Sequence, residues 1–346
     1  MRIAIVTDAW KPQVNGVVQT LSKTRDELRA MGHEVRMVTP EGRRTVPLPT
    51  YAEIRLALLP GRSVRRELDD FDPDCVHIAT EGTLGLAARR YCRRRNLPFT
   101  TAYHTQFPEY VRARAPIPLS WTVALLRWFH RPATRTMVPT ERIRQKLVER
   151  RFENVVIWSR GVDTDLFSPG ERFDYELQRP VWVYMGRVAV EKNIGQFLDL
   201  ELQGSKVIIG DGPDKERLQR AYPDCHFLGY RFGRDLAAHM AGGDVFVFPS
   251  RTDTFGIVML EAMACGLPVA ALPVDGPVDV ITSDKVGALD EDLGRACRSA
   301  LQLDRKDCVD FVANRSWRRS TAQFESYLAP RTRDTASAQP DSSASR

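Results

Sequence analysis

Short apolar runs alternate with longer mixed stretches along the first half of the chain. Runs of about four to six residues rich in β-branched side chains are typical of buried strands, and stretches of about ten or more are typical of helices. The predicted strands are Arg2–Val6, Glu34–Thr39, Cys75–Ile78, Phe99–Tyr103, Thr136–Val138 and Val155–Ser159. The helical stretches between them include Val17–Met31, Thr83–Arg95 and Glu141–Arg150. This alternation predicts parallel βαβ units with helices on both faces of the sheet.

The same alternation restarts after an irregular, proline-containing segment, Thr164–Pro180, where we place a domain boundary. The strands predicted beyond it are Val181–Met185, Lys206–Ile209, Cys225–Phe227, Val245–Phe248, Pro268–Ala271 and Val286–Ala288. The helices among them include Pro213–Ala221, Phe232–Ala241 and Phe255–Cys265. The chain is therefore predicted to be an α/β protein of two doubly wound domains. The last residues, 330–346, are rich in Ser, Ala, Thr and Asp and are expected to be a disordered tail.

Composition and hydropathy narrow the class of protein. The 346 residues are 43% apolar and 27% charged, which fits globular domains and excludes a collagen, a coiled coil or a wholly disordered chain. Long stretches without a charge, such as 115–126 and 262–274, are shorter than the roughly 18 residues of a membrane-spanning helix. The apolar run before Asp8 is too short for a signal-peptide core. We expect a cytoplasmic protein.

Charge is distributed unevenly between the two halves. Residues 1–170 contain 28 Lys and Arg against 18 Asp and Glu, a net charge of +10, whereas the remainder has a net charge of −4. A basic half beside a slightly acidic one indicates a polyanion or an anionic membrane facing the first half. A solvated, arginine-rich face without a partner is the alternative.

Three segments that follow predicted strands contain candidate chemistry. In TDAWKPQVNGVVQT, Asn15 and Gly16 open a helix whose free N–H groups suit a phosphate, although the segment could be a simple strand–helix turn. In MGRVAVEKNI, Arg187 and Lys192 could clamp a diphosphate. In PSRTDTFGIVMLEAMACGLPV, Glu261 lies within an apolar stretch and needs a partner, since a buried charge is costly without one.

Together, MGRVAVEKNI, GDGP (210–213), DVFVFPS and the spaced acids before EAMACGLPV resemble the C-terminal domain of the family 4 retaining glycosyltransferases. TDAWKPQVNGVVQTL and GHEVRMVTP (32–40) are similar to that family's donor-phosphate loop and second strand. The resemblance extends over roughly residues 1–328. It implies the GT-B fold, in which two Rossmann-like domains face each other across a cleft. We assign residues 1–168 to an acceptor-side domain, 169–315 to a nucleotide-sugar-binding domain, and 316–328 to a helix that packs back on the first domain.

The resemblance also implies roles for residues that match the family's motifs. Arg187 and Lys192 match the pair that holds the donor diphosphate and stabilises the leaving phosphate. Gly16 matches the glycine whose amide touches the diphosphate, and Glu261 matches the acid that binds the ribose. No metal ligand cluster is visible and the nucleotide sugar is itself a substrate, so we expect no cofactor, with the two cations in place of a metal.

Further matches concern the donor sugar. Phe255 and Gly256 match residues whose amides contact that sugar, and Ile257 is assigned to the same donor site. Asp253 stands where the family more often has Glu, so the motif here is Asp-x7-Glu, one methylene shorter. His104, in TAYHTQF, matches the histidine near the reacting sugar, although a lone histidine could be structural.

The segment PLSWTVALLRWFHRPATR (118–135) provides the acceptor-side prediction. We place Trp121, Leu125, Trp128 and Phe129 on one helical face, with Arg127 and Arg131 beside it, as in a helix that lies on an anionic membrane. Packing of this helix on its own domain is the alternative. The opening DAWKPQVNGVVQTL, with PTYAEIRLAL (49–58), also resembles bacterial enzymes that glycosylate diacylglycerol, and sulfolipid synthases.

These features predict a retaining hexosyltransferase that is peripherally attached to the inner face of the cell membrane. The favoured donors are UDP-glucose and UDP-glucuronic acid, and the favoured acceptor is diacylglycerol. The alternatives are a GDP-mannose-dependent α-mannosyltransferase and a catalytically inactive lipid- or nucleotide-binding relative. A dehydrogenase is disfavoured because no Gly-x-Gly-x-x-Gly fingerprint is present. No nucleic-acid-binding signature is present, so nucleic acid is not an expected partner.

Overall fold

The computed structural model describes residues 1–48, 51–104 and 118–332, with only the backbone described at residues 48 and 51–54. Most of the predicted tail, 330–346, therefore lies outside the described residues. Within the described part of the chain, no helix is both long enough and apolar enough to cross a membrane.

The first half of the chain folds around a six-stranded parallel sheet with the order β2-β1-β5-β6-β7-β8. Its strands are β1 (Arg2–Val6), β2 (Glu34–Val38), β5 (Cys75–Ile78), β6 (Phe99–Ala102), β7 (Arg135–Val138) and β8 (Val155–Ile157). An antiparallel pair, β3 (Thr45–Leu48) and β4 (Tyr51–Ala57), stands apart from this sheet. The described helices are α1 (Gly16–Ala30), α2 (Gly61–Phe71), α3 (Thr83–Arg94), α4 (Leu119–His130) and α5 (Glu141–Glu149).

The second half repeats this plan in a parallel sheet with the order β11-β10-β9-β12-β13-β14. Its strands are β9 (Val181–Met185), β10 (Ser205–Ile209), β11 (His226–Gly229), β12 (Val245–Phe248), β13 (Val269–Ala271) and β14 (Gly287–Leu289). Its helices are α6 (Ile194–Leu198), α7 (Lys215–Ala221), α8 (Gly233–Gly242), α9 (Ile257–Ala264), α10 (Pro277–Val280), α11 (Leu293–Ala300) and α12 (Arg305–Val312), followed by α13 (Trp317–Tyr327). A short 3₁₀ turn, Val190–Lys192, follows β9.

The predicted fold class is confirmed, and the predicted strands and helices recur with their ends moved by one or two residues. The β3–β4 pair and the helices α2, α6, α10, α11 and α12 were not predicted from the sequence. Prolines in TVPLPTY mask the strand pattern, since proline cannot donate to a sheet. The many charges of α2 hide a narrow apolar stripe in which Val64, Leu68 and Phe71 are buried.

Alternate side chains of β1 enter two different cores, as expected of a strand covered on both faces. Ala4 and Val6 pack with residues of α2 and α3, whereas Ile3 and Ile5 pack in a second cluster. That second cluster contains Phe324 of α13, which lies against α1. The last helix therefore packs on the first domain, and the chain crosses between the domains twice.

Candidate active site

A cleft of about 1390 Å³ separates the two domains and is lined by both. Its walls are the loops that follow β1, β5 and β6 in the first domain, and β9 and β12 in the second. These are carboxyl ends of parallel strands, where open α/β sheets bind their ligands. The residues predicted for the donor and the reacting sugar all line this cleft: Gly16, His104, Arg187, Lys192, Asp253, Phe255, Gly256, Ile257 and Glu261.

Both predicted cations are ion-paired on the wall formed by the second domain. Lys192 Nζ lies 2.6 Å from Asp253 Oδ1 and 2.9 Å from Oδ2. Arg187 Nη1 lies 3.2 Å from Oε1 of Glu191, the fourth residue after it in the chain. Burial would raise the pKa of Asp253, but the Lys192 ammonium outweighs that effect and holds it below its ordinary value. Each cation is thus held in place by a carboxylate.

Gly256 lets the chain turn sharply from the Asp253 loop into α9. Its φ of +83° lies in the left-handed region that favours glycine. A Cβ atom at this position would lie 2.7 Å from Met259 Cε and 2.9 Å from Phe248 Cζ. The turn directs the N-terminus of α9 into the cleft, with Phe255 and Ile257 on either side of the glycine.

Glu261 is buried in α9, and its partner comes from the opposite domain. The Gln19 side-chain amide donates a hydrogen bond of 2.5 Å to Glu261 Oε1. Burial raises the pKa of Glu261 to about 7, although the Gln19 bond and nearby Lys23 act to lower it. Lys23 itself donates to Asp163 at 2.7 Å. The sequence analysis predicted that Glu261 needs a partner but did not find Gln19.

Gly16 is the first residue of α1 and faces α9 across the cleft. The Asn15 side chain caps this helix by accepting from Val17 N and Val18 N. A Cβ atom at Gly16 would lie 3.8 Å from Ile257 Cδ1. The N-termini of α1 and α9 therefore point into the same space from opposite domains, and both present a positive dipole end.

His104 follows β6 and joins the two walls. Its carbonyl accepts a 2.7 Å hydrogen bond from Thr254 Oγ1 of the second domain. Buried Arg160 donates to its Nδ1 at 3.2 Å, which leaves the proton of the neutral ring on Nε2. Burial, then Arg160 and His77, lower the pKa of His104 well below its ordinary value. His104 lines the cleft, and no described residue hydrogen bonds to its buried Nε2.

Sequence comparisons agree with this arrangement. The model of Glycosyltransferase Family 4 matches residues 14–166, and that of Glycosyl transferases group 1 matches residues 179–302. A GDP-mannose-dependent alpha-mannosyltransferase of Mycobacterium tuberculosis is 34% identical over 318 residues, with 84% of this chain and 83% of the relative covered. The chain belongs to the family 4 glycosyltransferases.

Other relatives of this glycosyltransferase differ in name. A sulfoquinovosyl transferase of Arabidopsis thaliana is 32% identical over 293 residues, which cover 75% of this chain and 57% of the relative. Among solved structures, a sucrose-phosphate synthase from Thermosynechococcus elongatus aligns with a TM-score of 0.73 at 18% identity, covering 94% of this chain and 97% of that one. The structural likeness supports the GT-B fold.

Helix α4 of the glycosyltransferase corrects one part of the acceptor-side prediction. Trp121, Leu125 and Trp128 are 72%, 56% and 50% exposed and form one ridge, which we call the α4 ridge. Phe129 is only 2% exposed and packs in the core. Leu126 and Phe129 directly follow the ridge residues Leu125 and Trp128. Because each residue of a helix is rotated by about 100° from the one before it, these two side chains face the core instead of the solvent.

The basic residues predicted beside the ridge occupy different positions. Arg131 is exposed just after α4, whereas Arg127 is half-buried and reaches toward the Arg150 carbonyl. Leu125 and Trp128 line the cleft, but Trp121, Arg127 and Arg131 are not part of its lining. The ridge thus extends from the cleft to the outer surface.

Glu191 and Arg160 are site residues that the sequence analysis missed. Glu191 stands inside the quoted MGRVAVEKNI motif, one turn from Arg187, so an i, i+4 pairing rule would have found it. Arg160 follows a predicted strand as an isolated arginine. Nothing in its sequence context indicates that it contacts His104.

Glu261 gives the first testable prediction. A carboxyl group whose pKa is raised from 4.5 to about 7 on folding stabilises the folded state below the lower value, and this contribution is lost as the pH rises through the upper one. As the pH rises from below 4.5 to above 7, the free energy of unfolding of the wild type should therefore fall, relative to that of Glu261→Gln, by up to about 3 kcal/mol. Urea unfolding across the range measures the difference. A pH-independent difference, or an equal effect of exposed Glu291→Gln, would contradict the assignment.

Proposed function

We propose that this glycosyltransferase moves a hexose or hexuronic acid from a nucleotide sugar to a membrane lipid, with retention of configuration and with diacylglycerol as the favoured acceptor. The observation that carries the proposal is a cleft with two cations on its second-domain wall and Leu125 and Trp128 of the α4 ridge on its first-domain wall. The cations suit a diphosphate, and an apolar ridge that continues to the outer surface suits a lipid.

Arg187 and Lys192 are assigned to the leaving diphosphate. When the bond between the anomeric carbon and the phosphate oxygen breaks, negative charge develops on the diphosphate. Fixed cations and helix N-termini aimed at that charge lower the barrier without reorganisation. Glu191 and Asp253 hold the two cations in position beforehand. We expect this arrangement to replace a metal ion, so that transfer proceeds in the presence of a chelator.

The remaining donor contacts follow from the same geometry. Glu261 would accept hydrogen bonds from the ribose hydroxyls, which then take the place of the Gln19 amide. The Gly16 N–H, the first of α1, would touch the diphosphate, and the N–H groups around Gly256 would touch the sugar. His104 Nε2–H would donate to a sugar hydroxyl near the reacting carbon.

The lipid acceptor is supported by the surface around α4. Trp121 and Leu125 expose apolar side chains beside exposed Arg131, and residues 1–170 have a net charge of +10. Aromatic side chains with basic neighbours are typical of helices at the interface of anionic membranes. We therefore propose peripheral attachment to the inner face of the cell membrane.

The donor has two classes of candidate, a UDP-linked sugar and GDP-mannose, because the relatives divide. Relatives named alpha-monoglucosyldiacylglycerol synthase favour a glucosyl donor and a diacylglycerol acceptor, and a sulfoquinovosyl transferase is also among the relatives. The 34% identity to an enzyme named GDP-mannose-dependent alpha-mannosyltransferase favours GDP-mannose equally. The presence of Arg187, Lys192 and Glu261 disfavours a catalytically inactive relative.

A donor and acceptor panel tests the proposal. The enzyme is incubated with UDP-glucose, UDP-glucuronic acid or GDP-mannose, labelled in the sugar, and vesicles that contain diacylglycerol. We expect one donor to label the lipid, with the α-linkage of the donor retained in the product and with undiminished transfer in a chelator. Label that enters only water-soluble sugars would contradict the lipid acceptor, and a β-linked product would contradict retention.

Lys192→Ala should reduce turnover by about 10²–10³-fold, because it removes a charge that acts on the leaving diphosphate. Steady-state kinetics at saturating donor measure the loss. Lys285→Ala, which removes an exposed lysine of the same domain, is the matched control. Wild-type turnover in Lys192→Ala would refute the role of this residue.

Replacing Trp121 and Leu125 by Ser should weaken binding to anionic vesicles and lower transfer to lipid while sparing hydrolysis of the donor by water. The reason is that both side chains belong to the α4 ridge of the first domain, whereas Arg187, Lys192 and Asp253 belong to the second domain. Vesicle sedimentation and donor hydrolysis are measured together, and added salt should weaken binding by screening the arginines. Leu301→Ser, an exposed apolar position of the second domain, is the control. Unchanged vesicle binding of the double variant would contradict membrane contact by α4.

A further inference from the structure

A carboxylate and a histidine of the first domain meet beside the cleft. Glu81 lies between β5 and α3, lines the cleft, and has a side chain that is 26% exposed. His130, the last residue of α4, has a side chain that is only 1% exposed. Its Nε2 atom lies 3.2 Å from Glu81 Oε1.

The histidine fixes the orientation of the carboxylate. A carboxylate only accepts hydrogen bonds, so His130 Nε2–H donates to Glu81 in either protonation state of the ring. On its other side, His130 Nδ1 lies 2.9 Å from Thr101 Oγ1, which lies 3.1 Å from Thr136 Oγ1. This buried chain anchors Glu81 to β6 and β7. Within the described ranges, no residue hydrogen bonds to Glu81 Oε2.

Apolar side chains lie on the same wall of the cleft as Glu81. Leu86 of α3 and Leu125 and Trp128 of α4 belong to the first domain, line the cleft and are substantially exposed. Arg89 joins the two helices: it donates to the carbonyls of Trp128 and Phe129 at 2.8 and 2.9 Å, and its guanidinium lies 3.9 Å from the centre of the Trp128 ring. The carboxylate is thus a fixed polar group on a wall that also presents apolar side chains.

A second carboxylate nearby, Asp8, has a different role. It accepts hydrogen bonds from the backbone N–H groups of Leu84 and Gly85, at the N-terminus of α3, and from the Thr80 hydroxyl. Burial raises the pKa of Asp8, although these hydrogen bonds act to lower it. Asp8 is only 3% exposed, so Glu81 is the carboxylate that a ligand in the cleft can reach.

We infer that Glu81, oriented by His130, anchors a hydroxyl group of the acceptor and selects neutral hydroxylated lipid headgroups over phosphate-bearing ones. This inference rests on the proposed lipid acceptor. A fixed carboxylate accepts a strong hydrogen bond from an alcohol, and a negatively charged phosphate next to it is repelled. The apolar side chains of Leu86, Leu125 and Trp128 would contact the part of the lipid adjacent to that alcohol.

Glu81→Gln tests the inference because glutamine keeps the shape, can still accept from His130 and from an alcohol, and loses the charge. Vesicles of phosphatidylcholine and phosphatidylserine, which have no free alcohol, carry either diacylglycerol or phosphatidylglycerol as the acceptor. Both acceptors offer a glycerol hydroxyl, but only phosphatidylglycerol has a phosphate in its headgroup. Transfer to each lipid and hydrolysis of the donor by water are measured for the wild type, Glu81→Gln and the control Glu153→Gln, an exposed position of the same domain.

We expect the wild type to prefer diacylglycerol, and Glu81→Gln to raise the ratio of kcat/KM for phosphatidylglycerol over diacylglycerol by about tenfold or more. The KM for diacylglycerol should rise about threefold to tenfold, because the hydrogen bond from the lipid hydroxyl then goes to a neutral amide oxygen instead of a charged carboxylate. Donor hydrolysis should stay unchanged, as should all parameters of Glu153→Gln.

Two results overturn the inference alone: a wild-type preference for phosphatidylglycerol, or a lipid ratio that Glu81→Gln leaves unchanged. A wild type that hydrolyses the donor but labels neither lipid contradicts the proposed lipid acceptor, and the inference falls with it. The two kinds of failure are therefore distinguishable in a single experiment.

Discussion

The hydrogen bond between Gln19 and Glu261 is the interaction on which the arrangement of the site depends. A carboxylate in an apolar helix is costly to bury, and its pKa near 7 reflects that cost. The opposite domain supplies the partner, so satisfying this one group brings α1 against α9. Once these helices meet, their N-termini share one space, and the loops that end β6 and β12 meet at the Thr254–His104 hydrogen bond.

The two domains give the cleft two chemically different walls. The second domain contributes Arg187, Lys192 and their carboxylate partners, which are polar groups in the loops after β9 and β12. The first domain contributes Leu86 of α3 and Leu125 and Trp128 of α4, together with Glu81, which precedes α3. The proposed transfer of a sugar from a charged nucleotide to a lipid would use this difference, because each wall matches the chemistry of one substrate.

Much of this could be predicted from the sequence, for identifiable reasons. Strand and helix periodicity is local, so both doubly wound sheets were predicted, and residues that directly follow a strand, such as Arg187 and His104, must lie at a carboxyl edge. Contacts between domains are not local: nothing near Gln19 indicates that it meets a residue 242 positions away. The α4 prediction was wrong for Phe129 because a one-residue step decides which face of a helix is buried, and only packing against α3 reveals that face.

A structure of the enzyme with a nucleotide sugar bound would show whether the donor occupies these positions. We expect the ribose hydroxyls to replace the Gln19 amide at Glu261, and the diphosphate to lie between the Gly16 end of α1 and the side chains of Arg187 and Lys192. The sugar would then lie next to His104 Nε2. A nucleotide bound elsewhere, with the Gln19–Glu261 hydrogen bond intact and Lys192 still paired only with Asp253, would contradict this expectation.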